Sequence, residues 1–352
     1  MAIEAIVKEA YAYLDSTPDD TVKMELATTL KDICSGKIYV EAESARLHLI
    51  VAKILESQND IDGACAAIQD VHVETYGSIP KKEKAEYILE QMRLNFKRRD
   101  YIRALIQSRK MNTKTLLEEG FEQIKVTFYT MMIEYYTHEK DAWEICQCYY
   151  KIFDTSITQE NTNELASVIE SCIVFLILSK FDNHVSDMLH RLKLVKAFEE
   201  NSLANAVLQL FTTIEIVPFP FEGFYQLQEH ACFNQVKDVG MSSFEFFQNN
   251  FKLRVIQHNL RVVAKYYTRM KTASLANMLG LQEDELEGYL SDMSSDGDIF
   301  VKIDRPQGIV SFVQPRSAEA VLSDWASDTG KLLNIMENTA HLINREMMIH
   351  KC

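Results

Sequence analysis

Thr272-Ala-Ser-Leu-Ala-Asn-Met-Leu-Gly280, Gln282-Glu-Asp-Glu-Leu-Glu-Gly-Tyr-Leu-Ser-Asp-Met-Ser-Ser-Asp296, Ile299-Phe-Val-Lys-Ile-Asp304 and Ile309-Val-Ser-Phe-Val-Gln314 follow one another near the end of this chain. The first piece reads as a short helix stopped by glycine. The second reads as another helix, and the last two as strands joined by Arg305-Pro-Gln-Gly308. Just upstream, Leu253, Ile256, Leu260, Val263 and Tyr267 recur at alternating spacings of three and four, which lines up one face of an α-helix. A helix, a helix-turn-helix and a two-stranded wing make a winged helix over about residues 250–315.

Winged helices commonly bind DNA, where Lys and Arg on the recognition helix neutralise phosphates. Between Thr272 and Val301 there is no Lys or Arg, while Glu283, Asp284, Glu285, Glu287, Asp292, Asp296 and Asp298 are all acidic. The electrostatic contribution has the wrong sign for a polyanion, so the pattern points to protein association. The wing supplies one candidate surface. Ile299, Val301 and Ile303 alternate with Phe300, Lys302 and Asp304, so one face packs inward; Ile309, Val310 and Phe312 stand on the second strand. The backbone edge is then completed either by a neighbouring subunit or by water.

Beyond the wing, Ala318 to Ile349 contains no proline and one glycine, Gly330. Leu322, Trp325, Thr329, Leu332, Met336, Thr339 and Ile343 recur at three and four, and Leu333, Ala340 and Met347 widen the stripe. Such a helix is about 48 Å long, more than a small winged helix covers. Its stripe calls for other helices in a bundle, or for a path back along its own repeats, and the two threonines argue against a strict two-stranded coiled coil.

The first two thirds read as nearly all helix. Pro18, Pro80, Pro218, Pro220, Pro306 and Pro315 fall between candidate elements, and the intervals carry helical stripes such as Ala85, Ile88, Leu89, Met92 and Phe96. Asp60-Ile-Asp-Gly-Ala64 and Asp100-Tyr-Ile-Arg-Ala104 pair an Asp with an Ala four residues on, and Asp141-Ala-Trp-Glu-Ile145 falls near the next interval. A period of about forty suits antiparallel helix pairs in a solenoid with Asp as N-cap; three unrelated helix starts give the same residues. Residues 214–243 break the pattern with Val217-Pro-Phe-Pro-Phe221, whose aromatics are expected to fold back onto their own domain.

The chain has 352 residues and a formal net charge of −14, which disfavours polyanions and anionic membranes as main ligands. Seven cysteines, at 34, 65, 146, 148, 172, 232 and 352, form no paired framework and fit a reducing compartment. Met1–Lys8 lacks a signal-peptide pattern, and the longest apolar run, Cys172–Leu178, is far shorter than a membrane span. Ser35-Gly-Lys37 lacks the rest of a P-loop, and no nucleophile elbow or His-Glu-x-x-His helix occurs. His184 and His190 sit about 240° apart on a helix and cannot share an ion, and Cys146 and Cys148 lie on nearly opposite faces. No catalytic residue, metal ligand or cofactor is therefore expected. Two basic clusters, Lys81, Lys82 and Lys84, and Lys97, Arg98, Arg99 and Arg103, are either solvated faces or sites for an acidic protein.

Gly36-Lys-Ile-Tyr-Val-Glu41, Val73-Glu-Thr-Tyr-Gly-Ser78, Tyr87-Ile-Leu-Glu-Gln-Met-Arg-Leu94, Asp100-Tyr-Ile-Arg103, Phe181-Asp-Asn183, Leu210-Phe-Thr-Thr213, His258-Asn-Leu-Arg261, Ala264-Lys-Tyr-Tyr-Thr-Arg269 and His341-Leu-Ile343 stand in one order. In that combination, over about residues 25–352, they closely resemble the PCI-type non-ATPase subunits of the proteasome regulatory lid, numbered five in one nomenclature and twelve in another. The resemblance implies a mainly α fold: a right-handed, TPR-like solenoid (1–213), a PCI module with its small β wing (214–315) and a C-terminal bundle helix (316–352). It implies a scaffold without catalysis in ubiquitin-dependent proteolysis. Its partners are other PCI lid subunits, the lid deubiquitinase pair, the proteasomal ATPases and the core particle, in cytoplasm and nucleus. The alternation and the stripe make Ile299, Phe300, Val301, Ile303, Ile309, Val310 and Phe312 the expected wing contacts, and Leu322, Trp325, Leu332, Met336, Ile343 and Met347 the expected bundle contacts. The paralogous COP9 signalosome subunit shares this architecture and is the alternative. Two departures stand out: family members carry further repeats before the position of Met1, and residues 217–247 differ from the family pattern.

Overall fold

Helices joined by short turns account for most of the chain. The structure, a computed structural model, describes residues 6–7, 9–11, 13, 20–34, 36–37, 40–69, 71–221, 223–228, 230, 232–233, 236, 241–314 and 316–350. Expectations resting on Pro18, Pro315, Cys352, Ser35 and most of Met1–Lys8 lie outside these residues. The chain divides into two compact units, Met1–Val255 and Ile256–Cys352.

The first unit contains α1 (Asp20–Cys34), α2 (Glu41–Ser57), α3 (Ile61–Gln69), α4 (Lys81–Lys97), α5 (Tyr101–Lys110), α6 (Glu122–Glu139), α7 (Ala142–Phe153) and α8 (Ser156–Glu160). After these come α9 (Thr162–Leu178), α10 (Asn183–Lys193), α11 (Lys196–Glu200), α12 (Ser202–Thr212), α13 (Phe224–Gln228) and the first part of α14 (Met241–Tyr266). Sequential helices pack as pairs: α2 on α3, α4 on α5, α6 on α7, and α7 on α9. This is a helical-repeat solenoid, and its turns show why the aspartates recur. Asn59, Arg99 and Lys140 each end a helix in the left-handed region, at φ 63, 62 and 63. The next residue's N–H reaches back to the preceding helix: Asp60 to the Leu55 carbonyl (3.0 Å), Asp100 to Asn95 (2.9 Å) and Asp141 to Tyr136 (3.1 Å). That is the six-to-one bond of a Schellman turn. The same aspartate then caps the following helix, accepting from Gly63, Arg103, or Trp143 and Glu144. Asp182 stands at the N-cap of α10 one interval further on, but accepts from the adjacent Asn183 N–H and has no left-handed residue before it. Ala64, Ala104 and Ile145, one turn into each helix, are fully buried.

The division into compact units falls at 255/256, inside α14, whereas the sequence reading starts the PCI module at 214. Aromatic packing explains the shift. Phe175 of α9 touches Phe233 and Phe247, and Phe221 packs between Phe211 and Phe224, so residues 217–251 complete the core of the repeat unit. Phe221 folds back as expected, and Phe219 meets Phe224 edge to face while staying 43% exposed.

The second unit begins within α14. It continues through β1 (Arg269–Lys271), α15 (Thr272–Leu279), α16 (Glu283–Ser295), β2 (Lys302–Asp304), β3 (Ile309–Ser311) and α17 (Ala318–His350). Gly280, at φ 65, supplies the left-handed C-cap of α15. Ile256, Leu260 and Val263 of α14 pack on Leu275, Leu286, Leu290, Met293, Val310 and Phe312 to form the winged-helix core. Tyr267 is not on the helix, which ends at Tyr266. The chain turns there into β1, a strand too short for its alternation to register in sequence. The sheet order is β1-β3-β2, antiparallel throughout. Gly308, at φ 62, closes the Arg305–Gly308 turn, its N–H donating to the Arg305 carbonyl at 3.1 Å.

Candidate assembly surfaces

The wing corrects part of the sequence reading. β3 is the middle strand, so the backbones of Ile309 and Val310 are paired on both sides and offer no edge. Val310 and Phe312 are 0% and 8% exposed and belong to the core, where Ile299, Val301 and Ile303 pack against them. Pairing starts only at Lys302, so Ile299, Phe300 and Val301 precede the strand. Each inner strand position faces this small core, and that burial determines the register. β2 and β1 are the edges. On the outer face, the register aligns Arg269, Ser311 and Lys302, and next to them Lys271, Ile309 and Asp304. The wing is thus basic on its exposed side, a feature hidden in sequence because Arg269 and Lys271 lie upstream of the helix-turn-helix.

α16 bears the opposite charge. Glu283, Asp284, Glu285 and Asp292 are exposed, and the first three occupy the N-terminal turn, where negative charge opposes the helix dipole. Glu287 is held by Arg305 from the wing turn, with Nε at 2.7 Å from its carboxylate, and the guanidinium keeps that carboxyl below its usual range. Glu287 and the three first-turn acids thus have structural roles where DNA-binding winged helices place cations.

α17 is the largest candidate surface. It starts at Ser317, whose Oγ accepts from the Ala320 N–H at 3.1 Å while Arg316 reaches Asp324. Its expected contact residues all face solvent: Leu322, Trp325, Leu332, Met336, Ile343 and Met347 are 52–70% exposed. Thr329 and Thr339 return their hydroxyls to the carbonyls of Trp325 and Ile335, at 2.8 and 2.7 Å, leaving only their methyl groups to extend the stripe. A second row escaped the sequence reading. Ile335, Leu342 and Ile349 repeat every seven residues beside the first stripe and are 63%, 49% and 62% exposed. By helical rotation they widen the apolar surface of the C-terminal half to more than half of its circumference. His341 and Glu337 lie on the side away from this surface, whereas the Lys331–Asp328 ion pair occupies the second row's side just before Ile335, so that row begins only in the C-terminal half.

The residues considered for chemistry do not converge. His184 and His190 are exposed on α10, and Asp187 between them faces Arg191 at 3.7 Å. Among the described residues no group of three His, Cys, Asp or Glu is placed to hold a metal. Cys146 and Cys148 are both buried, but Cys146 meets Cys172 of α9, Sγ to Sγ 3.6 Å, a contact between residues too far apart in sequence to be foreseen. Burial pushes the Cys148 thiol up to about 12. Of the basic clusters, Lys81 pairs with Glu118, Lys97 with Glu56, Arg98 with Asp62 and Arg103 with Asp100. No helix among the described residues is long and apolar enough to cross a membrane.

A helical-repeat unit, a winged helix and a long terminal helix define the PCI class, and residues 235–314 match the PCI domain. Residues 1–161 match the family described as PSMD12/CSN4, N-terminal, and residues 319–351 the 26S proteasome regulatory subunit RPN5 C-terminal domain. The 26S proteasome non-ATPase regulatory subunit 12 of Dictyostelium discoideum is 37% identical over 351 residues, covering 99% of this chain and 77% of that protein. Its homolog A in Arabidopsis thaliana is 34% identical over 381 residues, covering 99% and 84%. The 26S proteasome regulatory subunit RPN5 of Saccharomyces cerevisiae is 29% identical over 352 residues, covering 99% and 79%. The chain belongs to the family of 26S proteasome non-ATPase regulatory subunit 12, also called RPN5.

Proposed function

We propose that this chain is a non-catalytic scaffold subunit of the lid of the proteasome regulatory particle, acting in ubiquitin-dependent protein degradation. One observation carries the proposal: α17 keeps its apolar face exposed along its length. Burying what each Leu, Ile or Met side chain there leaves open is worth on the order of 1 kcal/mol. A row of such residues therefore gives a strong drive to join other helices, and the double stripe of the C-terminal half fits a bundle with neighbours on two sides. Those neighbours are the terminal helices of other PCI lid subunits. The free edge of β2 is a second, smaller contact, where a neighbouring strand adds to Lys302–Asp304. In this role the chain positions the lid deubiquitinase pair and bridges to the ATPase ring and core particle, in cytoplasm and nucleus. The exposed acids of α16 argue against a nucleic-acid partner. The match of residues 319–351 to a proteasome-specific family favours this assembly over the COP9 signalosome.

The test is Leu332→Asp with Met336→Asp in the full chain. We expect incorporation into the regulatory particle to fall at least tenfold while the repeat unit melts as in the wild type. Normal incorporation of this variant, or of a chain ending at residue 317, overturns the proposal.

A further inference from the structure

We propose that the outward face of α5, Ile102 and Ile106 flanked by Arg99 and Arg109, docks an acidic amphipathic segment of a partner protein. This surface lies in the repeat unit and is separate from α17. α5 buries Ala104, Gln107 and Ser108. At about 100° per residue, Ile102, Ile106 and Arg109 stand directly opposite that buried side. Ile102 is 75% exposed and Ile106 52%. β-Branched aliphatic residues contribute little to a solvated helix face, where straight-chain or polar residues have higher helix propensity.

The surrounding charge is inverted relative to the whole chain. Residues 97–114 hold seven basic side chains and one acidic one, in a protein of net charge −14. Four of the seven are compensated: Lys97 by Glu56, Arg98 by Asp62, Arg103 by Asp100 and Lys110 by Glu74. Among the described residues Arg99, Arg109 and Lys114 have no ion-pair partner. Two of the cations left over, Arg99 and Arg109, flank the exposed aliphatic pair, and the third, Lys114, lies beyond the end of the helix; the four compensated ones serve the fold. Apolar side chains between unpaired guanidiniums fit a segment with aliphatic residues one turn apart and Asp or Glu beside them. A nucleic acid satisfies the guanidiniums but leaves the isoleucines against phosphate. A partner with the charge of this chain and an apolar stripe satisfies both.

The experiment places the photocrosslinker benzoylphenylalanine at position 102 of the full chain, within its assembled complex, and sequences the crosslinked peptide. The expected product carries paired aliphatic residues flanked by at least two carboxylates. Ile106→Ser, and separately Arg99→Glu with Arg109→Glu, should each lower the yield at least fivefold, with the chain still in the complex and its melting temperature unchanged. Lysines replacing the partner's carboxylates should restore crosslinking to the charge-reversed chain. No crosslink in the assembled complex, a product without carboxylates, a nucleic-acid adduct, or a yield indifferent to charge reversal each overturns the proposal. Failure of the α17 reading shows itself differently, because the Leu332 and Met336 variants then assemble normally while the position-102 crosslink is unaffected.

Discussion

α9 and α17 are both long and rich in apolar residues, yet they end in opposite environments. From Cys172 to Leu178 no side chain of α9 is more than 6% exposed. α7 and α12 pack on it, and Arg254 donates to its Leu178 carbonyl at 3.0 Å. On α17 the apolar side chains named above are at least 49% exposed. Sequence accounts for the contrast. α9 is apolar on every side over its last two turns, the pattern of a helix surrounded by its own chain. α17 carries an apolar stripe beside Asp324, Asp328, Lys331, Glu337 and Arg345, the pattern of a helix with one face for other molecules. Apolar content alone does not separate a core helix from an assembly helix; the charges on the remaining faces do.

The widest separation between the two helices should come from removing one aromatic ring in each. Phe175 is fully buried and touches Tyr149, Phe233 and Phe247. Phe175→Ala should destabilise the repeat unit by about 3–5 kcal/mol, read by chemical denaturation. Trp325→Ala should leave the free chain's stability within about 0.5 kcal/mol of the wild type and act only on assembly. Equal destabilisation by the two variants breaks the comparison, since it means that α17 is packed against its own chain.

Legibility followed the range of the interactions involved. The Asp caps, the Gly280 stop, the Arg305–Gly308 turn and the extent of α17 depend on residues within a few positions of each other, and all were readable. β1 was not, because Arg269–Lys271 becomes a strand only by pairing with Ile309–Ser311. The compact division at 255/256 has the same origin: Phe221, Phe224, Phe233, Phe247 and Phe251 join the core around α9 only in three dimensions. Of the wing residues singled out as contacts, Val310 and Phe312 are core, because their side chains face the helices of the winged helix, and a two-strand reading also leaves open the β3 edge that β1 occupies. The second row on α17, Ile335, Leu342 and Ile349, was within reach, since its spacing of seven is a plain sequence signal that the stripe beside it obscured.

A smaller effect separates the ion pairs of the two units. Glu56 of the repeat unit accepts from both Arg93 Nη1 and Nη2 at 2.6 Å and from Lys97, and these hydrogen bonds hold its carboxyl at about 2. Because the folded value lies below the ordinary 4.5, the stabilisation is fully present above about pH 4.5 and is lost as pH falls toward 2. Glu56→Gln should cost about 1–2 kcal/mol at neutral pH, after allowance for solvent screening, and the difference from wild type should vanish as pH approaches 2. The Arg316–Asp324 pair of α17 has both side chains well exposed, 72% and 68%, and Asp324→Asn should change stability by no more than a few tenths of a kcal/mol. Denaturation curves at about pH 7 and pH 3 decide both.

The smallest expected effect is in the turns that make the repeat unit periodic. Arg99 and Lys140 hold left-handed backbone, a conformation that costs a side-chain-bearing residue about 1–2 kcal/mol and glycine almost nothing. Glycine gives back part of that gain through the greater freedom of the unfolded chain, about 0.5–1 kcal/mol. Arg99→Gly should therefore stabilise the free chain by a few tenths of a kcal/mol, a rise in melting temperature of about 1–2 °C. Lys140→Gly relieves the same strain but removes the ammonium standing 5.3 Å over the Phe246 ring, a contact worth about 0.5–1 kcal/mol. The two substitutions are alike in backbone geometry, so the gain at Arg99 should exceed that at Lys140, where the two contributions offset. If Arg99→Gly lowers the melting temperature, the arginine side chain makes a stabilising contact within the free chain. The guanidinium is then not left over for a partner.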